Sequence, residues 1–500
     1  MYTHPDGNCA YAFAVPLDLG IVRCFISIVK SGFAAFLKDD YMSTKQVRYD
    51  LTQGPILHKL IPLSLPIMAT SFMQMAYSLT DMFWMGRLAG GSAVAAVGTA
   101  AQFLWLSMAF MVIGRMGAEI GVSQNMGKGD PAAAKSFAQN AFKIAIVLGI
   151  LYAAVMIIFN GPLIAFFRID DAHVVREARQ YLVVSALSIP FLMAHNVITG
   201  CYNGFGNTKI PFYINSIGLV LNIIISPIFI FVLGLGIVGA AAGTVVASVV
   251  NLALKIWVIK YYSGRPFEDY AIFSRIDWGR IWQICKWGLP VAAESALFTS
   301  LFMVVSRLVA DFGVGAIAAH RVGYNVEALS FMVGGGFAMA FASFVGQNFG
   351  AKKWSRLHSG SRISLIVMAG YGVFVTVFLF VFADPLVRIF LDCPYEIQMG
   401  GDYLRIVALT QLLFCMEGVA VGSFRGRGLT VYPSVVSISS NVIRVFVTYA
   451  LAATALGITG VWVGIAVSMT VKSIWLLVWF KINVRRLPRV DEVVVNQEGS

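Results

Sequence analysis

Long apolar runs alternate with short polar breaks along almost the whole chain, and this pattern predicts the architecture. The runs are near 60–86, 94–119, 138–160, 180–202, 211–233 and 237–260, then near 287–310, 317–344, 363–383, 403–424, 433–454 and 458–480. Each holds the roughly 20 apolar residues that a helix needs to cross a bilayer at about 1.5 Å rise per residue. A transmembrane β-barrel would instead show weakly alternating segments of about ten residues. The expected fold is therefore all-α and polytopic, with twelve transmembrane helices. Pro190 and Pro227 lie inside runs, where a lost backbone hydrogen bond permits bending.

Composition agrees with this pattern. Of 500 residues, 58% are hydrophobic and 12% charged, about half the charged share of a soluble domain. That excludes a soluble enzyme, a disordered chain and a nucleic-acid module, although the formal net charge is +12. The excess of Lys and Arg falls mostly on one side of the predicted membrane, the side of both termini. Lys128, Lys209, Arg280, Lys352 and Arg485 are among them, with Lys255 counted on the same side; Arg87, Arg168 and Arg388 are among the few opposite. The positive-inside rule then makes both termini cytoplasmic in an inner or plasma membrane. The six cysteines form no close pair, so neither a disulfide framework nor a metal knuckle is expected.

Residues 1–41 fit poorly. Their apolar stretch is interrupted by Pro16, Asp18 and Arg23, unlike a signal peptide. The expected start of the native protein is Met42, whose Ser43-Thr44-Lys45-Gln46 reads as a short cytoplasmic leader. The remaining divisions are an N-terminal lobe (42–262), a basic cytoplasmic connector (263–286), a C-terminal lobe (287–482) and a polar cytoplasmic tail (483–500).

The chain also repeats itself. Gly121-Val122-Ser123-Gln124-Asn125-Met126-Gly127 returns as Phe344-Val345-Gly346-Gln347-Asn348-Phe349-Gly350. Gly204-Phe205-Gly206-Asn207-Thr208-Lys209-Ile210-Pro211 returns as Gly426-Arg427-Gly428-Leu429-Thr430-Val431-Tyr432-Pro433, and Gly236-Ile237-Val238-Gly239 as Gly457-Ile458-Thr459-Gly460. Leu65-Pro66 matches Leu289-Pro290. The order is kept and the offset is nearly constant. Because it spans an even number of helices, the two six-helix bundles have parallel topology, and a substrate site is expected within or between them near mid-membrane.

The paired Gln-Asn-x-Gly loops, together with Thr80-Asp81-Met82-Phe83-Trp84-Met85-Gly86 closing the first span, resemble the multidrug and toxic compound extrusion family of prokaryotic type. The resemblance covers about residues 50–485. It implies cation-coupled efflux of drugs or metabolites by alternating access. The family's N-lobe cation site falls on Asp81, Asn222 and Thr244, and Ser226 stands where some members have a second acid. Glu294 falls in the seventh span, where members often carry an acid, although its offset from Pro290 differs.

Depth counting supports these candidates. Asp81, Ser226 and Thr244 lie about 8–10 Å from the outer ends of their spans, and Asn222 is one turn from Ser226 on the same face. A carboxylate, an amide and two hydroxyls suit a proton or a hard cation such as Na+. In the second lobe, Glu294 and Glu417 lie about 12 Å from the inner face, with Glu327 and Arg444 near the midplane. Intramembrane charges point to function by default. One acid is expected to neutralise Arg444, and the others to trade a proton for a cationic substrate. Arg115 and Glu119, spaced i and i+4, read as a snorkelling pair near the inner face. His195 is the clearest intramembrane histidine, and no paired-histidine or nucleophile motif accompanies it, so an enzyme is not expected. No nucleotide-binding loop is present, so an H+ or Na+ gradient is expected to supply the energy, with no cofactor. The expected function is a monomeric secondary antiporter for amphipathic, cationic small molecules. The alternative is a flippase for a lipid-linked or other amphipathic substrate, although its cavity would be more cationic.

Overall fold

A computed structural model describes residues 50–488, apart from 168, 170, 263, 264 and 273, and apart from the side chains of 77–83 and 85–95. The expected leader at Met42 and the Asp81 side chain lie outside what is described.

The first half is built from α1 (Ile56–Lys128), α2 (Pro131–Ile158), the short α3 (Asn160–Ala165), α4 (Ala172–Ala186), α5 (Ile189–Phe205), α6 (Lys209–Pro227) and α7 (Gly236–Tyr261). The second half comprises α8 (Trp278–Ala310), α9 (Val314–Gly350), α10 (Trp354–Val381), the short α11 (Ala383–Arg388), α12 (Pro394–Gly426), α13 (Val431–Ala452) and α14 (Gly457–Arg485). The protein is an all-helical polytopic membrane protein. Among the described residues, eleven helical stretches are long and apolar enough to cross a bilayer, or twelve if the bent pair α4–α5 is one span.

With its 73 residues, α1 would extend about 110 Å if straight, far beyond a hydrocarbon core of about 30 Å. It supplies two spans, Ile56–Ala76 and Ala96–Lys128. Met68 lies against Gly336, and Arg115 reaches Met339, one turn along α9. Two residues so far apart in sequence meet one turn of a neighbour only if the chain doubles back between them.

Local sequence sets the breaks. Gly129 takes a left-handed conformation to end α1, and Asp130 accepts a hydrogen bond from the Ala133 N–H to cap α2, with Pro131 in the first turn. Pro190 and Pro227 sit at irregularities. The α4–α5 pair bends by 43° just before Pro190, and Pro227 leads into a π-helical turn, Ile228–Val232. Helices exceed their apolar runs at the ends. α8 begins at Trp278, where Asp277 caps the Arg280 N–H, so the expected connector is shortened. What remains of it is no free linker. Phe267 and Tyr270 are buried, Gln139 donates to the Ala271 carbonyl, and Lys143 reaches Ser274. Burial pushes the Tyr270 phenol well above its ordinary range.

Small residues decide how the helices pack. On α12, Gly418, Gly422 and Gly426 lie one turn apart and face Gly334, Ala338 and Ala342 of α9. On α5, Gly200 and Gly204 face the Arg115 and Glu119 carbonyls of α1; a Cβ there would lie 2.7 Å and 2.6 Å from those oxygens. The two seams are counterparts under the sequence repeat. Close backbone approach across small residues gives dispersion contact where lipid offers no hydrophobic drive.

Both ends of the described chain lie at one face, here called the terminal face. The Leu51 N–H donates to Gln347 Oε1 at 3.0 Å, and Leu51 and Leu487 belong to one apolar cluster. Arg356 clamps the entering segment by donating to the carbonyls of Leu51, Gln53 and Gly54. Beside it, partial burial pushes the Asp50 carboxyl up. Hydrogen bonds from Thr52 and the charges of Lys353 and Lys59 outweigh that and hold it below the usual carboxylate range.

Candidate functional site

In the first lobe, α6 and α7 bring three of the four expected cation-site residues together. Asn222 is fully buried, and its amide nitrogen lies 3.5 Å from Thr244 Oγ1. Thr244 in turn donates to the Ala240 carbonyl. Ser226 is buried against Gly243, and its hydroxyl has no hydrogen-bond partner among the described residues. These are neutral oxygen donors on facing helices, the chemistry that suits a hard cation or a proton-linked network. Asp81, the fourth member, is not placed.

The second lobe holds a cavity of about 210 Å³ between α8, α9, α12, α13 and α14. Phe298, Phe302, Tyr324, Phe331 and Phe414 form its aromatic walls, and Glu327, Arg444 and Lys472 supply charge. Glu327 is buried, accepting 2.6 Å and 3.0 Å hydrogen bonds from Tyr403 Oη and the Gln411 amide. Arg444 donates through Nε to Ser468 at 2.8 Å. Among the described residues no acid lies within 4 Å of Arg444, although Glu327 lines the same cavity and its charge acts on the guanidinium.

The four second-lobe candidates do not form one cluster. Glu417 pairs with Lys472 at 2.9 Å and also accepts from Ser473. Glu294 lies nearer the terminal face, 3.5 Å from Arg425 and 2.9 Å from Ser434 Oγ. Only Glu327 and Arg444 share the cavity. Lys472, missed because it sits inside an apolar run, lines it as well.

Two other sequence readings are corrected. Glu119 is not at the surface. It is 1% exposed, accepts from Ser343 Oγ of α9 at 3.3 Å, and forms no ion pair with Arg115 within 4 Å. Lys255 is not an exposed basic residue. It is 1% exposed, donating to Thr199 Oγ1 and Asn215 Oδ1, both at 2.8 Å, and lies 3.1 Å from His195 Nδ1. His195 thus belongs to a polar knot binding α5, α6 and α7. A lone lysine scored only by its nearness to a helix end gave no signal of that burial.

At the terminal face the repeated motifs, which form the last turns of α1 and α9 rather than loops, meet each other. Gln124 donates to the Gly426 carbonyl at 2.9 Å, and its counterpart Gln347 donates to the Gly204 carbonyl, also at 2.9 Å. Gly127 lies against the Gln347 carbonyl and Gly350 against the Gln124 carbonyl. Ser123 faces Gly346, its own counterpart in the repeat. Each contact joins one lobe to the other, and nearly every member is buried.

The sequence model of a family described as MatE matches residues 66–228 and 290–450, one stretch in each lobe and together more than half of the chain. The chain is 27% identical to a probable multidrug resistance protein NorM of Thermotoga maritima, over 85% of this chain and 92% of that protein. It is 24% identical to a probable multidrug resistance protein YpnP of Bacillus subtilis, over 87% of this chain and 96% of that one. In fold it matches a crystal structure of MATE in the bent conformation, with a TM-score of 0.83 at 22% identity, covering 89% of this chain and 98% of that one.

Proposed function

The chain belongs to the MatE family, a family of transporters and not of enzymes, and from that premise we propose that it is a secondary active antiporter. It exports amphipathic drugs or metabolites in exchange for H+ or Na+, by alternating access of its two lobes. The names of its relatives, probable multidrug resistance proteins, support the cargo class. The observation that carries the mechanism is the terminal-face contact made by two copies of one motif. A contact built from short hydrogen bonds and bare glycines, with no covalent tie, is one that two rigid lobes can make and break.

The proposed cation pathway uses Asn222, Ser226 and Thr244 with Asp81. The oxygens of the first three fit a hard cation, and Asp81 supplies the charge that changes during the cycle. The termini are cytoplasmic, the membrane is an inner or plasma membrane, and the working unit is a monomer. The case for a cationic cargo is weakened, because it rested on free acids in the second lobe. Glu294 and Glu417 each face a base, and Glu327 is already hydrogen-bonded. With Arg444 and Lys472 lining the cavity, the flippase alternative gains support, and it predicts scrambling of a fluorescent lipid in proteoliposomes without a gradient.

Everted membrane vesicles, with the proton and sodium gradients collapsed separately, test the antiport reading: uptake should fall with one of the two, and uptake surviving loss of both overturns it. Asp81→Asn should abolish gradient-driven transport with near-normal expression. Asp311→Asn, an exposed acid beyond the end of α8, should change little. An Asp81→Asn protein with wild-type rate and unchanged ion dependence moves the coupling site elsewhere.

A further inference from the structure

The second-lobe cavity holds a basic group whose opposite charge is not supplied at close range. Arg444 on α13 spends its Nε–H on Ser468 of α14, and its terminal nitrogens are left as the polar edge of the cavity. A guanidinium has five N–H donors in a planar fork matched to a carboxylate. Glu327 lines the same cavity, each of its oxygens accepting one hydrogen bond, from Tyr403 and Gln411. Lys472 is held by Glu417. Two bases and one acid line the cavity, and an anionic guest meets the terminal N–H donors of Arg444 already in place.

The walls fix the rest of the guest. Phe302 and Tyr324 have ring centroids 4.8 Å apart, and Phe331 and Phe414 are 4.5 Å apart. Aromatic faces in such groups favour a flat ring. The volume, about 210 Å³, is below the roughly 300–1,000 Å³ common for whole drug-sized ligands, so it suits one ring-bearing end of a molecule.

We propose that this cavity binds a ring-bearing organic acid, its carboxylate on Arg444 and its ring among Phe302, Tyr324 and Phe331. The proposal rests on the export reading for its purpose but not for its test. The acid is recognised by charge and the ring by shape.

Calorimetric titration of the purified full-length protein with naphthoate and with its cationic counterpart naphthylmethylammonium decides the matter. Naphthoate should bind about tenfold more tightly or better. Arg444→Gln should lose about tenfold for naphthoate and should not weaken binding of the ammonium. Arg444→Lys should recover part of the loss, since it keeps the charge without the fork. Equal binding of both probes, preference for the ammonium, or full naphthoate affinity in a folded Arg444→Gln protein overturns the proposal. If Arg444→Gln does not elute as a single species, the wild-type preference and the naphthoate affinity of Ser468→Ala decide, a weaker affinity being expected. Titration needs no gradient. Naphthoate binding without gradient-driven transport therefore defeats the export reading alone, and gradient-driven transport without naphthoate binding defeats this site alone.

Discussion

Oxidising a protein that carries Ser123→Cys and Gly346→Cys should stop transport, and reduction should restore it. A Cβ on residue 346 would lie 2.7 Å from the Ser123 Cβ. A disulfide places the two Cβ atoms about 3.5–4.5 Å apart, so the lobes need give by only about 1 Å to form the bond. Alternating access requires this face to part by far more than that. The six native cysteines are first replaced, because Cys393 is an exposed and Cys285 a half-buried free thiol that would confuse the readout. The expected result is a fall in efflux of about tenfold or more on oxidation, scaling with the cross-linked fraction on a gel of protease-cut protein. Either single variant should respond little to oxidant. Full transport by a cross-linked protein would mean that the terminal-face contact stays shut throughout the cycle, and alternating access at this face would be wrong.

The second large effect concerns folding. Gly422→Leu should abolish the monodisperse protein, because Gly422 packs on the Ala338 carbonyl along the α9–α12 seam. The obstacle is backbone, which has no rotamer to yield, so the cost should lie at or above the top of the about 1–3 kcal/mol range for overpacked sites. Gly98→Leu is the matched control, since nothing lies within 4 Å of a Cβ there. Size-exclusion chromatography of both in one detergent checks it. A Gly422→Leu protein that elutes and melts like its parent would show that the seam has slack.

The same small residues explain which parts of the structure were legible in the sequence. Gly204 and Gly426, Gln124 and Gln347 kept their spacing through the repeat because each touches backbone, where a substitution has no side-chain adjustment to absorb it. The parallel halves were therefore readable without coordinates. Helix ends were not: an apolar run measures the thickness of the hydrocarbon, while α8 begins at Trp278 and α9 continues to Gly350 beyond it. Direction around the helix was not readable for the charged residues. Glu294 and Glu417 count to one depth along their runs, yet one turns to Arg425 and the other to Lys472. Lys255 and Lys472 were hidden for opposite reasons: one was counted with a basic rim, the other absorbed into an apolar run.

The terminal-face contact has the geometry of an isologous interface, in which residue i of one unit meets j of the other and j meets i. Gln124 with Gly426 and Gln347 with Gly204 are one such reciprocal pair. On a true twofold axis a residue meets its own copy, and Ser123 and Gly346 stand where such self-contact would fall. In a homodimer of six-helix subunits two serines would collide there, or two glycines would leave a gap. A single chain escapes that constraint by writing the position twice: serine fills the axis from one lobe, and glycine gives it room from the other.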